Sequence, residues 1–494
     1  MNGTSTICTR NEFGWLEIDI TCIVIKLFLE LLLLFGLGNK EMEKALLRKT
    51  RSENNSGFVE QLKKVSLMAA PMVAVTVSQF LLQVVSLMMA GHLDQLSLAG
   101  VALATSFADV TGFSILMGMT GALETQCGQS FGAEQFHKLG NYVVCAIVSL
   151  ILTSVPISII WIFMDKLLFF LGQDHAISLV AGKYCIWLIP ALFGYAVLQA
   201  LIRYFQTQSL IFPMLVISVI VLVLHIPICW VLVFELRLGQ NGAALSIGIS
   251  YWLTVILLIV YAKYSPACQK TKIAVGSNAL RSSKDSEWWS FELLVILAGL
   301  LPNPKLETSI LLNICNLHYF ITYGIGAAIS TRVSNELGAG KPQAAREAIC
   351  AVLVLALIDA IILSSALFFF RHVLGFAFSN DMEVVHSVAT IIPLLCLSVS
   401  VDAFLGVLCG IVRGSGWQHI GAIANLVAYY GVGIPAALLF GFGLNFNGRG
   451  LWIGILTGST LQTIILALLT AFTNWEKQAS LAVERLSVSD EVVF

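Results

Sequence analysis

Apolar residues fall into long runs along most of this chain, and short polar segments separate them. Runs of about 20 residues are long enough to cross a hydrocarbon core of ~30 Å as helices. The pattern therefore predicts an all-α membrane protein with twelve spans. We place them near 65–90, 98–123, 140–162, 176–197, 211–235, 241–262, 306–330, 347–370, 385–411, 419–441 and 449–473, with a shorter run at 288–301.

The second half of the chain repeats the first. The pattern NGxxLxIG occurs at 241–248 and again at 447–454, an offset of 206 residues. The same offset places Thr125 and Gly132 on Thr331 and Gly338. Six spans per copy is an even number, so both copies enter the membrane from the same side. We predict two parallel repeats related by an axis along the membrane normal, which is typical of secondary transporters.

Charge and composition further limit the class of protein to which this chain can belong. The 494 residues are 57% hydrophobic and only 12% charged, with mean hydropathy +0.86 and formal net charge −1. That balance argues against a nucleic-acid partner and favours a lipid bilayer. The 11 cysteines show no CxxC spacing, and we interpret them as small apolar residues in helices. We expect no cofactor and no metal.

Basic residues predict the orientation. They concentrate in one set of connections, which is therefore expected to be cytoplasmic. That set includes Lys138, Arg203, Lys263, Lys270, Lys272, Arg281, Lys284, Arg332, Lys341, Arg346, Arg413, Lys477 and Arg485.

Polar segments mark the predicted boundaries. We expect a partly disordered N-terminal extension at 1–61 and an N-lobe of six spans at 62–262. A polar, serine-containing cytoplasmic linker at 263–286 then leads to the C-lobe at 287–474, and 475–494 form a cytoplasmic tail. The seventh helix is predicted to be truncated, because 288–301 would form a helix only about 21 Å long.

Ionisable side chains within apolar spans are the candidates for function, because burying them in lipid is costly. Asp402 lies deep in the tenth span, and Glu292 and Glu287 lie in and beside the seventh. A carboxyl in a medium of low dielectric constant binds a proton more readily, as a proton-coupled carrier requires. The alternative for each is a structural hydrogen bond across a helix interface.

A second group of side chains suits a cavity for flat organic solutes. Polar groups fix orientation there, and aromatic rings provide stacking and apolar contact. Helix packing is the alternative for most of these residues. The candidates are Asp109, Gln83, Trp289, Tyr319, Tyr323 and Phe404.

Several segments resemble the multidrug and toxic compound extrusion (MATE) transporters. Residues 124–133 (ETQCGQSFGA) and 330–340 (STRVSNELGAG) resemble the signatures of the two cytoplasmic loops. Residues 287–292 (EWWSFE), 299–304 (GLLPNP) and 414–418 (GSGWQ) resemble the plant detoxification efflux-carrier branch. The similarity covers about 62–478.

The resemblance implies a MATE-like bundle of two six-helix lobes around a central cavity, and antiport of organic solutes against protons. Acids of the seventh and tenth helices are held to bind protons in eukaryotic members, and they match Glu287, Glu292 and Asp402. The chain departs from the branch before residue 287, where a serine-rich segment replaces a longer apolar stretch. Asp109 also stands where the branch often has asparagine.

We therefore predict a non-enzymatic, monomeric, proton-coupled antiporter in the plasma membrane or the vacuolar membrane. It would export organic compounds, xenobiotics or secondary metabolites, from the cytosol. No Walker A sequence is present, so an ion gradient would supply the energy. Three alternatives stay open: a carrier of organic anions with the same fold, a lipid-handling membrane protein, and a transport-impaired variant. An anion carrier would require arginines in the cavity, which the spans largely lack.

Overall fold

Long apolar helices account for the fold of the N-lobe. In the computed structural model, which describes residues 58–271, 307–371, 382–444 and 446–491, every element is helical. The N-lobe comprises α1 (Phe58–Gly91), α2 (Gln95–Gly132), α3 (Phe136–Ile162), the short α4 (Met164–Phe170), α5 (His175–Thr207), α6 (Ile211–Glu235) and α7 (Gln240–Tyr264). A 3₁₀ turn at Pro266–Thr271 follows α7.

The C-lobe repeats this order. It comprises α8 (Glu307–Gly338), α9 (Pro342–Phe369), α10 (Met382–Ser415), α11 (Gln418–Gly443) and α12 (Asn447–Phe472). A final helix, α13, runs from Trp475 to Glu491. The predicted seventh helix and residues 1–57 lie outside the part of the chain that the structure describes.

Ten helices among the described residues are long and apolar enough to cross a membrane. Their outward faces carry large apolar side chains, such as Ile362 and Leu152, both 65% exposed. Such faces suit lipid, because apolar surface is costly in water and costs nothing against hydrocarbon. These ten helices coincide with ten of the twelve spans that the hydropathy pattern predicts.

Polar links inside the N-lobe show how its helices are held in register. Two hydrogen bonds of the buried His225 ring join three helices, with Nε2 3.1 Å from Ser86 Oγ of α1 and Nδ1 2.8 Å from Ser250 Oγ of α7. Hydrogen bonds between helices are effective in lipid because no water competes for the partners.

The two lobes meet along α8. This helix contacts α10 within its own lobe, and α1 and α2 of the N-lobe. Gly324 lies so close to Val73 that a Cβ there would approach the Val73 backbone to 2.6 Å. Small residues permit this approach, and the Thr76 hydroxyl donates to the Phe320 carbonyl at 2.7 Å beside it. A movement of α8 would therefore change contacts in both lobes.

We call the end of the bundle where α2 and α8 stop, at Gly132 and Gly338, the signature end. The basic residues predict it to be cytoplasmic. The segment predicted as a tail is the helix α13, which lies against both lobes at this end. Lys138 Nζ donates to the Leu486 carbonyl at 2.8 Å, and the Trp417 indole donates to Gln478 at 3.2 Å.

Candidate functional site

Asp402 lies on α10 inside the C-lobe, where the sequence placed it. Its side chain is partly buried, and Ser398 Oγ, one turn earlier on the same helix, donates to Asp402 Oδ2 at 3.4 Å. His318 on α8 lies within electrostatic range of the Asp402 carboxylate. A carboxyl within an apolar helix bundle is costly to keep there, so Asp402 stays a candidate for proton binding.

A second acid of the C-lobe was missed by the sequence analysis. Asp359 on α9 has Oδ2 3.0 Å from Nε2 of His318, whose side chain is only 1% exposed. Three helices of one lobe, α8, α9 and α10, thus bring two carboxyls and an imidazole into one neighbourhood. The signal was available, because Asp359 interrupts the apolar run of residues 351–363 as plainly as Asp402 interrupts its own.

Three predicted residues, Glu287, Glu292 and Trp289, lie outside the described residues. Their roles in proton coupling and in the cavity stay predictions.

Asp109 and Gln83 are brought together in the N-lobe. Gln83 Nε2 on α1 donates to Asp109 Oδ1 on α2 at 3.4 Å. Asp109 begins a π-helical turn, Asp109–Phe113, and π turns occur frequently at functional sites. The ring of Phe113 in this turn packs edge-on against Tyr195 and Tyr251, with centroids 4.9 Å and 6.3 Å away. Asp109 therefore shares its π-helical turn with a ring that belongs to an aromatic cluster of the N-lobe.

A small cavity lies near this acid within the N-lobe. It offers about 10 Å³ to the centre of a water molecule, which is the space that one water occupies. An organic solute does not fit there, so we interpret it as an internal water site. Its lining is Ser78, Gln79, Leu82, Leu198, Ser218, Tyr251 and Thr254.

The aromatic candidates of α8 lie on one helix face, at the boundary between the lobes. Tyr319 and Tyr323 are stacked with centroids 5.9 Å apart, and Tyr319 is 47% exposed. Tyr319 also packs edge-on against Phe320, at 5.6 Å. Phe404 lies on α10, two residues from Asp402, and is partly buried. Tyr319 thus presents a half-exposed ring at this boundary.

Two arginines that the sequence analysis assigned to cytoplasmic connections lie inside helices instead. Arg203 on α5 is 1% exposed, and Arg413 on α10 is 20% exposed in its side chain. Their guanidinium carbons lie 5.7 Å and 5.2 Å from the centroid of Tyr323, and Arg203 also donates a hydrogen bond to the Tyr323 hydroxyl. The assignment to connections was wrong because each arginine lies within the last turn or so of a helix, next to a basic loop.

Glu124 on α2 supplies the negative charge for both arginines. Its Oε2 lies 3.6 Å from Arg203 Nη1 and 3.4 Å from Arg413 Nε, and its side chain is fully buried. Burying such charges is tolerable only where they are paired. We call Glu124, Arg203, Arg413 and Tyr323 the interlobe charge cluster, because α2 and α5 belong to one lobe and α8 and α10 to the other.

The two signature loops meet in a reciprocal contact. A Cβ on Gly132 would lie 2.0 Å from the Asn335 carbonyl oxygen, and one on Gly338 would lie 2.1 Å from that of Gln129. The offset of 206 residues relates these two contacts to each other. Neither glycine has a positive φ, so backbone freedom is not the reason for glycine here. Glycine is required because the two helix ends touch backbone to backbone.

A reciprocal pair of hydrogen bonds lies beside these glycines. Gln206 Nε2 of the N-lobe donates to Thr331 Oγ1 at 3.0 Å, and Gln418 Nε2 of the C-lobe donates to Thr125 Oγ1 at 2.5 Å. Thr125 and Thr331 are themselves related by the 206-residue offset. The signature end therefore has a glutamine-to-threonine hydrogen bond in each direction between the lobes, although the two glutamines do not correspond under that offset.

The comparisons with known proteins agree with this architecture. The family model MatE matches residues 71–231 and 286–439. Protein DETOXIFICATION 9 of Arabidopsis thaliana is 52% identical over 452 residues, covering 88% of this chain and 93% of that protein.

Two solved structures show the same fold. The chain resembles the eukaryotic MATE transporter AtDTX14 with a TM-score of 0.79 and 47% identity, over 87% of this chain and 100% of that one. It also resembles the bent form of the Vibrio cholerae MATE transporter VcmN, with a TM-score of 0.69, 16% identity, and coverage of 87% and 100%. The fold is the twelve-helix MATE fold, and the protein is a multi-span membrane transporter rather than an enzyme. The chain belongs to the MATE family.

Proposed function

We propose that this protein is a proton-coupled antiporter that exports organic compounds from the cytosol. The observation that carries the proposal is the Asp402 carboxylate, partly buried on α10 and close to the His318–Asp359 pair. Proton uptake would remove a costly charge from the interior of the C-lobe. The names of its detoxification relatives fit export of foreign or secondary compounds.

The packing offers a route from proton binding to the lobe interface. The acids lie on α9 and α10, and His318 lies on α8, the helix that contacts α1 and α2 of the N-lobe. A change of charge at Asp402 would alter how α8 and α10 pack, and two-state packing of helices is how small changes at a site become movements of domains. Residues 62–262 and 287–474 would move as lobes of a monomer, with 263–286 as the linker.

The exposed ring of Tyr319, stacked on Tyr323, provides a surface for flat organic solutes at the lobe boundary. Stacking and burial of apolar area recognise such solutes without requiring one chemical identity. Phe404 and the N-lobe pair Asp109 and Gln83 would add contacts on the two sides. This arrangement supports a broad class of substrates.

The test is an efflux assay in proteoliposomes with an imposed pH gradient and a fluorescent organic dye. We expect the purified protein to concentrate the dye against its gradient, and Asp402→Asn to abolish accumulation. Glu347→Gln is the matched control, because Glu347 lies in the same lobe and accepts a surface hydrogen bond from Gln343 at 3.3 Å. Accumulation by Asp402→Asn at the wild-type level would show that this carboxyl does not couple protons to transport.

The interlobe charge cluster favours a second candidate, the transport of organic anions. Arg203 and Arg413 both lie against Tyr323, a predicted cavity residue, and so supply basic groups that the sequence did not lead us to expect there. One acid faces two guanidinium groups, which leaves a positive charge that an anionic solute could meet. Competition between an anionic and a cationic dye, in wild type and in Arg413→Gln, would decide. If the protein carries anions, Arg413→Gln would lower the affinity for the anionic dye and leave that for the cationic dye unchanged.

A further inference from the structure

The interlobe charge cluster joins the two lobes at the signature end. Glu124 and Arg203 come from the N-lobe, whereas Arg413 and Tyr323 come from the C-lobe. The basic residues predict that this end is cytoplasmic, so solute from the cytosol would pass between the lobes here. We propose that the cluster is the electrostatic contact that holds the signature end closed, with Glu124 as the shared counter-charge, and that it must break for solute to enter.

Glu124 is the member on which the contact depends. Its Oε1 accepts a hydrogen bond from Gln206 at 2.7 Å, while its Oε2 faces both arginines without a hydrogen bond. The pairing with Arg203 and Arg413 is therefore electrostatic, at 3.6 Å and 3.4 Å. Electrostatic attraction at these distances is strong in the absence of water and weakens when water enters.

Removal of the Glu124 charge would turn attraction into repulsion. Two guanidinium groups would then face one tyrosine ring with no carboxylate between them. Because Arg203 and Arg413 belong to different lobes, their repulsion would push the lobes apart. The same repulsion within one lobe would only rearrange side chains, so the distribution of the charges over both lobes is what makes the cluster a gate.

Neighbouring contacts limit where the separation would occur. Gln206 Nε2 also donates to the Ala327 carbonyl at 2.9 Å, and Asn335 Nδ2 donates to the Thr207 carbonyl at 3.1 Å. Both bonds cross from the end of α5 in the N-lobe to the segment 327–338 of α8 in the C-lobe. We expect these two bonds and the interlobe charge cluster to open together, since all of them join α5 to α8 or lie beside that contact.

The experiment measures opening directly, by hydrogen–deuterium exchange of the full chain in lipid nanodiscs, with mass spectrometry. The segments to follow are 121–132 and 327–338, which form the signature end of α2 and α8. We expect Glu124→Gln to speed exchange there by about 10- to 100-fold, the usual range for coupling between sites. The far halves of the same helices would keep their wild-type exchange.

Three variants separate the gate from a general loss of stability. Glu60→Gln is the matched control, because its pair with Lys64 at 3.5 Å lies within one helix. Glu124→Gln combined with Arg413→Gln is expected to restore much of the protection, because the repulsion is gone. Tyr323→Phe loses the hydroxyl that accepts a hydrogen bond from Arg203, so we expect a smaller increase of exchange in the same segments. This variant tests the proposal if Glu124→Gln does not fold.

Three outcomes would overturn the proposal. The first is exchange at the signature end that changes less than twofold in both Glu124→Gln and Tyr323→Phe. The others are exchange that becomes equally fast in all helices, and a double variant that exchanges faster than Glu124→Gln. The proposal rests on the proposed transport function, but its readout requires no solute. Failed dye transport with the predicted exchange would refute the function and leave the gate. Normal dye transport with unchanged exchange in the variants would support the function and refute the gate.

Discussion

Gly338→Ala tests whether the backbone contact of the signature loops closes the transporter. The new Cβ would lie 2.1 Å from the Gln129 carbonyl oxygen and 2.6 Å from its Cα. Carbon contacts below 3.0 Å are essentially never seen, so the two helix ends would have to move apart by about 1 Å. Backbone atoms cannot turn aside as the end of a flexible side chain can.

The expected magnitude follows from the neighbouring bonds. A movement of about 1 Å would stretch the Gln206–Thr331 and Gln418–Thr125 bonds, now 3.0 Å and 2.5 Å, to or past the limit of a hydrogen bond. Each bond contributes about 1 kcal/mol. With weaker attraction in the interlobe charge cluster, the closed form would lose ~2–3 kcal/mol, which corresponds to a shift of about 30- to 150-fold in the gate equilibrium.

Initial rates of dye transport in proteoliposomes measure the consequence. A cycle that cannot close its signature end turns over slowly, so we expect the maximal rate to fall about tenfold or more, with the KM for dye unchanged or lower. Gly340→Ala is the matched control in the same loop. Its φ of +67° makes alanine strained, but a Cβ there meets nothing within 4 Å.

Gly340→Ala would therefore lower the thermal stability slightly and leave the maximal rate near that of wild type. A wild-type maximal rate in Gly338→Ala, at equal amounts of folded protein, would show that the backbone contact does not hold the signature end closed. So would an equal loss of rate in both variants, because the effect would then come from the loop and not from the contact.

Three further predictions concern other parts of the chain. Asp359→Asn is expected to lower pH-driven accumulation of dye in proteoliposomes, and adding Asp402→Asn should lower it little further. Additive losses would show that the two acids act independently. Deletion of residues 475–494 should speed hydrogen exchange at the signature end, because α13 lies against both lobes there; unchanged exchange would make α13 dispensable. Insertion of about 15 apolar residues before Glu287 should raise efflux at matched expression, and equal or lower efflux would contradict a truncated seventh helix.

The duplication and the spans could be read from the sequence because they are long and periodic. The offset of 206 residues, found from Thr125 and Gly132, is the offset that relates the two backbone contacts in space. The backbone contact at Gly132 could not be predicted, because a close approach between distant segments leaves no local pattern. Asp402 was found because one acid in an apolar run is conspicuous.

The interlobe charge cluster was harder to predict. Arginines near the end of a span usually extend to the membrane surface, so Arg203 and Arg413 were counted with the loops. Their pairing with Glu124 depends on distances between helices, and such distances do not follow from a single sequence. Glu124 itself was recognisable, because it follows the apolar residues 121–123 just as Asp402 follows its own.

The duplicated halves of this chain meet as the two subunits of a homodimer do, residue i against residue j and j against i. In a homodimer each mutation changes both copies of a contact, so an acid would occur twice or not at all. Here the halves share one polypeptide, and the position that corresponds to Glu124 is Ser330. Fusion of the two copies thus allowed one half to keep a single acid for two arginines, an asymmetry that identical subunits could not have acquired.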